Sequence, residues 1–249
     1  MHPYLNIAIK AARLAGKIII NASLHPGSFE GTINLVTSVD KVAEDAIINT
    51  ILRAYPDHNI KAERSGEQVN NSTFTWIIDP LNGTLNFVHE FPFFAVSIAI
   101  LNGESIEHAV IYNPMSDELF TASKGSGAKL NNKRIRCSHN NKLLEAFLAI
   151  DTTLLLQKHD KLQGLSTSRG LNRDLGSAAL HLAFVAAGRL DGYCDFNLKS
   201  WEIAAGALLV RESGGYITDF NGKSDFLTTG NVIAASQKLH QPLLDFIIS

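Results

Sequence analysis

The stretch that decides the fold is Trp76-Ile77-Ile78-Asp79-Pro80-Leu81-Asn82-Gly83-Thr84. Its first residues are large and apolar, which predicts a buried strand that ends at Asp79. Pro80 and Gly83 then favour a tight loop, because proline fixes its own φ and glycine accepts backbone conformations that other residues avoid. The stretch therefore predicts a strand that delivers a carboxylate into a sharply turned loop.

This loop contains the oxygen atoms that a hard cation prefers. A tight turn can aim the Asp79 carboxylate, the Leu81 carbonyl and the Thr84 hydroxyl at one point, and such a set suits Mg²⁺. Glu63 lies upstream and offers a further carboxylate. The alternative is that Asp79-Pro80 is an ordinary turn with no metal.

Two further acids stand where helices are expected to begin. Asp40 opens one predicted helix, and Trp201-Glu202 opens another, where the helix dipole favours an anion. Taken singly, each is as well explained as an ordinary acid at a helix start. A functional interpretation depends on all these segments acting together.

Apolar periodicity outside the stretch predicts further elements. Helices are expected at 5–22, from Ser38–Asp40 to just before Pro56, at 178–187 and at 203–211. Strands are expected at 75–78, 93–101, 108–112, 118–122 and 232–235, with turns at 113–114 and 124–127 and a loop at 27–31. Strands and helices that occur in blocks predict a layered α/β or α+β body, and without a linker the chain is expected to form a single domain over 1–249.

Composition excludes several classes of protein. The chain has 249 residues, with 22 Lys+Arg against 24 Asp+Glu, and 45% of its residues are hydrophobic. A chain of this kind buries a large core, and its balanced charge provides no field for binding DNA or an anionic membrane. Cys137 and Cys194 form no disulfide framework and have no metal-binding spacing, which favours a reducing cytoplasm.

A basic run offers one alternative binding surface. It consists of Lys129, Lys133, Arg134, Arg136 and Lys142, and Arg169 and Arg173 add weakly to it. Because Asn131-Asn132 is typical of a turn, we prefer a solvated hairpin. A contact surface for RNA or a protein partner is the alternative, although no aromatic stacking pattern accompanies the charges.

Together these segments resemble the inositol monophosphatase family, and closely its bacterial extragenic-suppressor branch. The most specific matches are the deciding stretch, its continuation through Asn86-Phe87 to Ala95-Val96-Ser97-Ile98-Ala99, and Trp201–Gly215. The resemblance runs from Met1-His2-Pro3 to Thr229-Gly230-Asn231. It implies a layered αβαβα sandwich of the inositol monophosphatase and fructose-1,6-bisphosphatase type, with a metal-site half (about 1–140) and a substrate-side half (about 141–249). It also implies a homodimer that uses Mg²⁺ to hydrolyse a sugar or inositol monophosphate.

The resemblance also assigns roles to residues. The implied first metal site consists of Glu63, Asp79, the Leu81 carbonyl and Thr84. The implied second metal site consists of Asp79, Asn82 and Glu202. Asp40 and Thr84 are implied to orient and activate the attacking water, with the metal at Glu63 lowering its pKa. The amides of Gly83 and Thr84 are implied to hold the phosphate beside Asn82 and Glu202. The implied sugar pocket is lined by Gly176, Ser177, Ala178 and Asp195.

Three residues depart from the family pattern. Asn82 replaces an acid, so its oxygen could still coordinate a metal but brings no charge. Glu202 replaces an aspartate and is one methylene longer, which Mg²⁺ tolerates poorly because it requires near-octahedral geometry at about 2.0–2.1 Å. Arg64 replaces a second acid and can pair with a carboxylate in competition with metal. Residues 149–153 also lack the expected Gly/Phe/Pro-rich pocket wall. An intact first metal site and a damaged second one are predicted.

Two functions remain open on this basis. One is a Mg²⁺-dependent phosphomonoesterase of weakened activity. The other is a binding protein, because the extragenic-suppressor branch includes members that act in ribosomal-RNA transcription antitermination, in contact with Nus factors and RNA polymerase. In either case a homodimer is expected, partly because the uncharged run Phe91–Gly103 exceeds what one small core needs to bury.

Overall fold

The computed structural model describes residues 2–24, 32–157 and 172–248. The helices in these ranges are α1 (Pro3–Leu24), α2 (Thr32–Ala54), α3 (Thr84–Val88), α4 (Thr152–Gln157), α5 (Ala178–Ala186), α6 (Ser200–Glu212), α7 (Phe226–Thr229) and α8 (Gln237–Ile248). The strands are β1 (Asn59–Ala62), β2 (Gly66–Gln68), β3 (Phe74–Asn82), β4 (Ala95–Asn102), β5 (Ser105–Asn113), β6 (Glu118–Ser123), β7 (Gly127–Leu130), β8 (Lys133–Arg134), β9 (Leu148–Ile150), β10 (Gly192–Asp195), β11 (Gly215–Thr218) and β12 (Val232–Ser236). The predicted loop at 27–31 and Arg169 lie outside the described residues.

The described strands form two sheets. The larger has the order β2-β1-β3-β4-β5-β6-β7-β8, and the smaller has the order β11-β12-β10-β9. Strands β1 and β3 are parallel, as are β9 and β10, and the other neighbouring strands run antiparallel. The parallel strands β1 and β3 lie near one side of the larger sheet and end at the same edge, and this edge positions the site described below.

The centre of the larger sheet is buried on both faces. Along β3, Trp76 and Ile78 point into one apolar cluster and Ile77 points into another. The indole Nε1–H of Trp76 finds its partner in His58 Nδ1 at 2.9 Å, so burial leaves no unsatisfied donor there. A strand buried on both faces reads as a continuous apolar run in the sequence. This accounts for the composition of the deciding stretch.

The elements pack as five layers. Helices α1 and α2 cover one face of the larger sheet, and α5 and α6 cover the other. The smaller sheet packs on α5 and α6, and α8 covers its outer face. The predicted αβαβα sandwich of a mixed α/β protein is therefore confirmed.

Some element boundaries differ from prediction. Strand β3 continues past Asp79 to Asn82, with an irregular register against β4 between these two residues, because Pro80 has no N–H to donate to a regular ladder. Helix α2 begins at Thr32 rather than near Ser38, since no proline or glycine interrupts the sequence from there to Ala54. The unpredicted strands β1, β2, β10 and β11 have three or four residues each, too few to show alternation.

The uncharged run Phe91–Gly103 was expected to leave apolar surface for a dimer interface, but it is buried within one chain. Most of it forms β4, whose residues from Ala95 to Leu101 are buried between the two apolar clusters of the same chain. Its apolar surface therefore needs no second copy to cover it. The homodimer stays a prediction that rests on the resemblance.

The basic run lies on the predicted hairpin. Strands β7 and β8 are joined by Asn131 and Asn132, which both have positive φ, at 46° and 66°. Two positive φ angles are typical of the tight turn that matches strand twist, and asparagine accepts them more readily than most residues. Lys133 and Arg134 on β8 are exposed, which confirms the preferred interpretation of a solvated hairpin.

Two further sequence expectations can be compared with the described part of the chain. Cys137 and Cys194 are both free thiols. Within residues 2–24, 32–157 and 172–248, no helix combines the length and the apolar character that crossing a membrane requires.

Candidate active site

The parallel strands β1 and β3 bring two acids together at their carboxyl ends. Glu63 directly follows β1, and its N–H donates to the carbonyl of Ile78 at 3.2 Å. This bond places Glu63 beside Asp79, the next residue of β3. The carboxyl ends of neighbouring parallel strands are a common place for a binding site, because loops diverge there and leave a crevice.

The loop after Asp79 is held by its own hydrogen bonds. Asp79 Oδ1 accepts from the N–H of Leu81 at 3.2 Å, and the Thr84 hydroxyl donates to the Leu81 carbonyl at 3.0 Å. Gly83 has φ +96°, and a Cβ there would lie 2.9 Å from the carbonyl oxygen of Phe93. Glycine is therefore required twice over, by the backbone conformation and by close packing. The structure brings together the oxygen atoms that the loop was predicted to gather.

A cleft of about 510 Å³ opens at this loop, within the range of small-molecule pockets. Its lining among the described residues consists of Glu63, Asp79, Leu81, Asn82, Gly83, Thr84, Leu85, Asn86, Gly176, Lys199, Trp201 and Glu202. The cleft thus contains all the residues of both predicted metal sites. It also contains both residues whose amides were predicted to hold phosphate.

Asp79 is the most strongly perturbed acid of the cleft. Burial raises the pKa of Asp79 well above its usual range, the negative charge of Glu63 raises it further, and the hydrogen bond from Asn82 lowers it. Glu63 lines the same cleft, and the bond from its N–H to Ile78 sets its main chain beside Asp79. Two carboxylates in one partly desolvated cleft favour a shared proton or a cation between them.

Arg64 pairs with the predicted water-activating residue. Its guanidinium forms an ion pair with Asp40 Oδ2, and the same nitrogen lies 3.5 Å from Glu63 Oε1. Asp40 is fully buried, and its Oδ1 has no hydrogen-bond partner among the described residues. Burial raises the pKa of Asp40 to about 7, although Arg64 lowers it. The predicted role of Asp40 therefore requires that Arg64 leave its carboxylate.

Asn82 is oriented away from the role of second-metal ligand. Its carbonyl oxygen accepts from the Ser177 hydroxyl at 2.7 Å and from the N–H of Ala179 at 3.0 Å. Its amide nitrogen donates to Asp79 Oδ2 at 2.9 Å. A backbone N–H is only a donor, so Ala179 fixes which end of the amide is the oxygen. The expectation that this oxygen could coordinate an ion beside Asp79 is corrected, because the oxygen is already bound on the side of α5.

Glu202 also has a bond that competes with a metal. It is the third residue of α6, and its Oε2 accepts from the N–H of Lys199 at 2.8 Å, so the side chain caps its own helix. Burial raises the pKa of Glu202, the Lys199 bond lowers it and the Glu63 charge raises it. The carboxylate lies in the cleft, but one of its oxygens is turned back to the main chain.

The donor sets of the two predicted sites fit Mg²⁺ differently. The first set combines the carboxylates of Glu63 and Asp79, which line the same cleft, with the Leu81 carbonyl and the Thr84 hydroxyl, and hard oxygens of this kind suit Mg²⁺. The second set does not fit, because Asn82 presents a donor to Asp79. Among the described residues, no group of three or more His, Cys, Asp or Glu side chains is arranged to hold a metal. The first set has two acids and does not depend on a third.

Of the four residues predicted to line the sugar pocket, the structure places one in the cleft and three outside it. Gly176 lines the cleft, whereas Ser177, Ala178 and Asp195 are not part of its lining. Ser177 and Ala178 are buried at the start of α5, where the Ser177 hydroxyl caps the helix. Burial raises the pKa of Asp195 to about 6, bonds from Tyr193 and the Phe196 N–H lower it, and two other acids, Asp151 and Asp174, raise it.

Residues 149–153, the predicted wall of the pocket, contain the end of β9 and the start of α4. Asp151 accepts from the N–H groups of Thr153 and Leu154 at 2.8 and 3.1 Å, which is the geometry of a helix cap. The stretch is thus a capped helix start instead of the glycine- and proline-rich wall that the family pattern has.

Sequence reasoning missed several cleft residues. The Asn86 side chain donates to the carbonyls of Phe93 and Leu175, both at 2.7 Å, and so ties the loop to the opposite wall. Lys199 adds a positive charge to the cleft from the position before α6. Outside the lining of the cleft, Glu44 was missed as well; it is fully buried, one helical turn beyond Asp40. Its place on the same face as Asp40 was the only signal in the sequence.

A histidine behind the cleft gives a prediction about pH. His181 Nε2 accepts from the N–H of Leu175 at 3.0 Å, and burial lowers the pKa of His181 to about 4. Between about pH 6.5 and 4 the unfolded chain binds the extra proton, so this residue makes stability fall by about 3 kcal/mol as the pH falls. We expect His181→Gln, which keeps an acceptor, to lose less stability than the parent in urea titrations at pH 7.5 and 4.5.

Asp40 changes the folding stability with pH in the direction opposite to His181, so the variant's stability loss is measured relative to that of the parent. Its raised pKa makes stability rise as the pH falls from about 7 to 4. His89 is exposed, and His89→Gln is therefore the matched control for the exchange of histidine for glutamine. Equal slopes for His181→Gln and the parent would contradict the prediction.

The chain is similar to known proteins over nearly its whole length. A family model described as the inositol monophosphatase family matches residues 1–246. The chain is 43% identical over 254 residues to the Nus factor SuhB of Escherichia coli (strain K12), covering 98% of this chain and 95% of that protein. Among solved structures, the extragenic suppressor protein suhB from Bartonella henselae is 36% identical with a TM-score of 0.90 and 100% coverage of both chains. The inositol monophosphatase from Anabaena (Nostoc) sp. PCC 7120 is 33% identical with a TM-score of 0.86, covering 98% and 95%.

Proposed function

The chain belongs to the inositol monophosphatase family, and on that premise we propose that it is a Mg²⁺-dependent phosphomonoesterase of weakened activity. The proposed substrate is an inositol or other sugar monophosphate, which is cleaved to an alcohol and phosphate. The observation that carries the proposal is a single cleft in which the carboxyl groups of Glu63 and Asp79 lie with the Leu81 carbonyl and the Thr84 hydroxyl. This set of oxygens suits a hard cation, and the cleft is of suitable size.

In this proposal several residues of the cleft have defined tasks. Glu63, Asp79, the Leu81 carbonyl and the Thr84 hydroxyl hold one Mg²⁺. A bound Mg²⁺ supplies charge to the phosphate and lowers the pKa of the attacking water. The amides of Gly83 and Thr84 hold the phosphate, and Lys199 adds positive charge at the same cleft. Gly176 contacts the alcohol part of the substrate.

The weakness of the proposed activity has three physical causes. The Asp40 carboxylate is paired with Arg64 and is not free to orient water. Asn82 donates to Asp79 instead of adding a negative charge. Glu202 is bound to the Lys199 N–H. The bonds of Asn82 and Glu202 must break before a second ion can be held, and the bond of Asp40 must break before it can orient water.

The test is a phosphate-release assay with inositol-1-phosphate and several sugar phosphates over a Mg²⁺ titration. We expect slow release that requires Mg²⁺ and stops on addition of a chelator. Release that persists in the chelator, or none with any substrate at any Mg²⁺ concentration, would contradict the proposal.

A binding measurement gives an independent prediction. We expect calorimetry to find one Mg²⁺ per chain, bound more weakly than in an all-acid site, because the first donor set is complete while Arg64 reduces the negative charge nearby. Glu63→Gln removes one of the two carboxylates and is expected to abolish this binding. Glu118→Gln, which removes an acid paired with Arg189 on the surface, is the control. Two tight Mg²⁺ sites in the parent would show that the prediction is wrong.

A second candidate function is supported by the names of the relatives. The Escherichia coli relative at 43% identity is a Nus factor. We propose as the alternative that this chain acts as a homodimer in ribosomal-RNA transcription antitermination in the cytoplasm, in contact with a Nus factor or RNA polymerase and without direct binding of DNA. This role requires the fold and its surface, and it does not require a second metal ion.

A further inference from the structure

The acids Asp40 and Glu63, which lie at or beside the cleft, are both paired with the side chain of Arg64. One guanidinium nitrogen of Arg64 contacts both Asp40 Oδ2 and Glu63 Oε1. A guanidinium that bridges two carboxylates supplies the positive charge that a metal ion between them would supply. We propose that Arg64 is a resident cation that replaces a divalent ion at the Asp40–Glu63 pair.

The main chain fixes Arg64 in this place. Its N–H donates to Glu44 Oε2 at 2.8 Å, and the N–H of Ser65 donates to Glu44 Oε1 at 2.8 Å. Glu44 is fully buried and lies on α2, one turn beyond Asp40. The helix that carries the buried acid therefore also anchors the turn that carries the arginine. The guanidinium is thus positioned by the fold as well as by its ion pair.

The position of Arg64 argues against a role in binding phosphate. Its side chain is 31% exposed, but it is not among the residues that line the cleft in the described part of the chain. Its guanidinium is paired with the carboxylate of Asp40. This carboxylate is fully buried, and its other oxygen has no hydrogen-bond partner among the described residues. An uncompensated charged acid at such a position is strongly destabilising, so Arg64 stabilises the charged form of Asp40.

If Arg64 replaces a divalent ion, the site binds fewer exchangeable divalent ions than it would without the arginine. Glu63 lines the cleft together with Asp79, and on the side of Asp40 its Oε1 lies 3.5 Å from Arg64. The position beside Asp79 is open to a divalent ion, and the position beside Asp40 is filled by the guanidinium. The inference rests on the proposed function only in taking Glu63 and Asp79 as metal ligands, and it makes no use of hydrolysis.

The test counts bound Mn²⁺ by electron paramagnetic resonance at about pH 8, with melting temperatures measured in Mn²⁺ and in a chelator. We expect Arg64→Gln to bind one more Mn²⁺ than the parent. In the chelator it is expected to melt about 5–10 °C lower, because a buried acid has lost its partner, and Mn²⁺ is expected to restore at least half of this loss. Arg64→Lys keeps a cation and is expected to bind the parental number of ions.

The matched control is Arg189→Gln, which removes an arginine from an ion pair with Glu118 outside the site. It is expected to leave the ion count unchanged. If Arg64→Gln melts lower but binds no additional ion, or melts like the parent because Asp40 takes up a proton, Arg64 is an ordinary ion-pair partner and the inference is wrong. A parent that binds no Mn²⁺ contradicts the proposed function alone, because the added ion in Arg64→Gln is counted relative to the parent.

A second variant covers the case in which Arg64→Gln does not fold in either medium. Asp40→Asn combined with Arg64→Gln removes the acid together with its cation. If the resident cation is needed only to balance Asp40, this double variant folds and binds the parental number of ions. A double variant as unstable as the single one would overturn the inference.

Discussion

Replacing Asn82 and Glu202 together with aspartate is expected to raise the rate of phosphate release by about 10²-fold at saturating Mg²⁺. The Asn82 oxygen accepts from Ser177 and Ala179, and its amide donates to Asp79. Aspartate keeps an acceptor for both donors and turns a negative oxygen toward Asp79. Two carboxylates facing each other there require a cation, so the change favours a second ion.

The exchange at Glu202 completes the second site. Glu202 reaches back to the Lys199 N–H, and an aspartate is one methylene shorter, which returns the carboxylate to the reach that the family pattern has. One additional ion stabilises the transition state by several kcal/mol. Since about 1.36 kcal/mol corresponds to a factor of ten in rate, the expected gain is at least 10²-fold.

The measurement compares inositol-1-phosphate hydrolysis by the parent, by the double variant and by a triple variant with Arg64→Glu. Asn113→Asp is the control, because Asn113 is also buried and accepts from the backbone, at Met115 and Ser116, but lies outside the site. A parent as fast as the double variant would show that Asn82 and Glu202 are working ligands. Three inactive proteins that still bind Mg²⁺ would instead locate the defect in the wall at 149–153.

The fold could be predicted from the sequence because its central elements have strong local signals. Strand β3 is apolar on both faces, and α6 begins after Lys199 and ends just before Gly214-Gly215. These signals depend only on periodicity and on residues that stop elements. The short strand β1 has no such signal, yet it places Glu63 beside Asp79. Only the resemblance connected these two acids.

The details of the site depend on which hydrogen-bond and ion-pair partners its side chains have, and no local sequence pattern predicts these partners. Arg64 was predicted to compete for a carboxylate, but its contact with Asp40, 24 positions away, and the anchoring by Glu44 follow from how α2 packs beside β1. Asn82 offers both a donor and an acceptor, and only the position of α5 decides which end faces Asp79. Tertiary packing determines these partners. In the proposals above, Arg64 and Asn82 also determine how many metal ions the site can hold.

Asp79→Asn is expected to separate the two candidate functions. Asp79 is the residue common to both predicted metal sites, so an amide there removes the charge that holds Mg²⁺, and hydrolysis is expected to fall by about 10²–10³-fold. The fold is expected to survive, because burial raises the pKa of Asp79 and an uncharged isostere avoids the desolvation of a charged group. The measurements are phosphate release, the melting temperature in a chelator, and binding to purified RNA polymerase with Nus factors.

The outcome for partner binding decides which function is the biological one. Asp219→Asn is the matched control, since Asp219 is equally buried and accepts from the main chain, at Asn221 and Lys223, far from the metal ligands in sequence. If Asp79→Asn loses hydrolysis and still binds the transcription complex as the parent does, binding needs the scaffold and not the metal. If it loses both while Asp219→Asn loses neither, the metal site itself supports the partner contact, and the separation proposed between catalysis and binding is wrong. If the parent releases no phosphate and binds no partner, both candidate functions are contradicted.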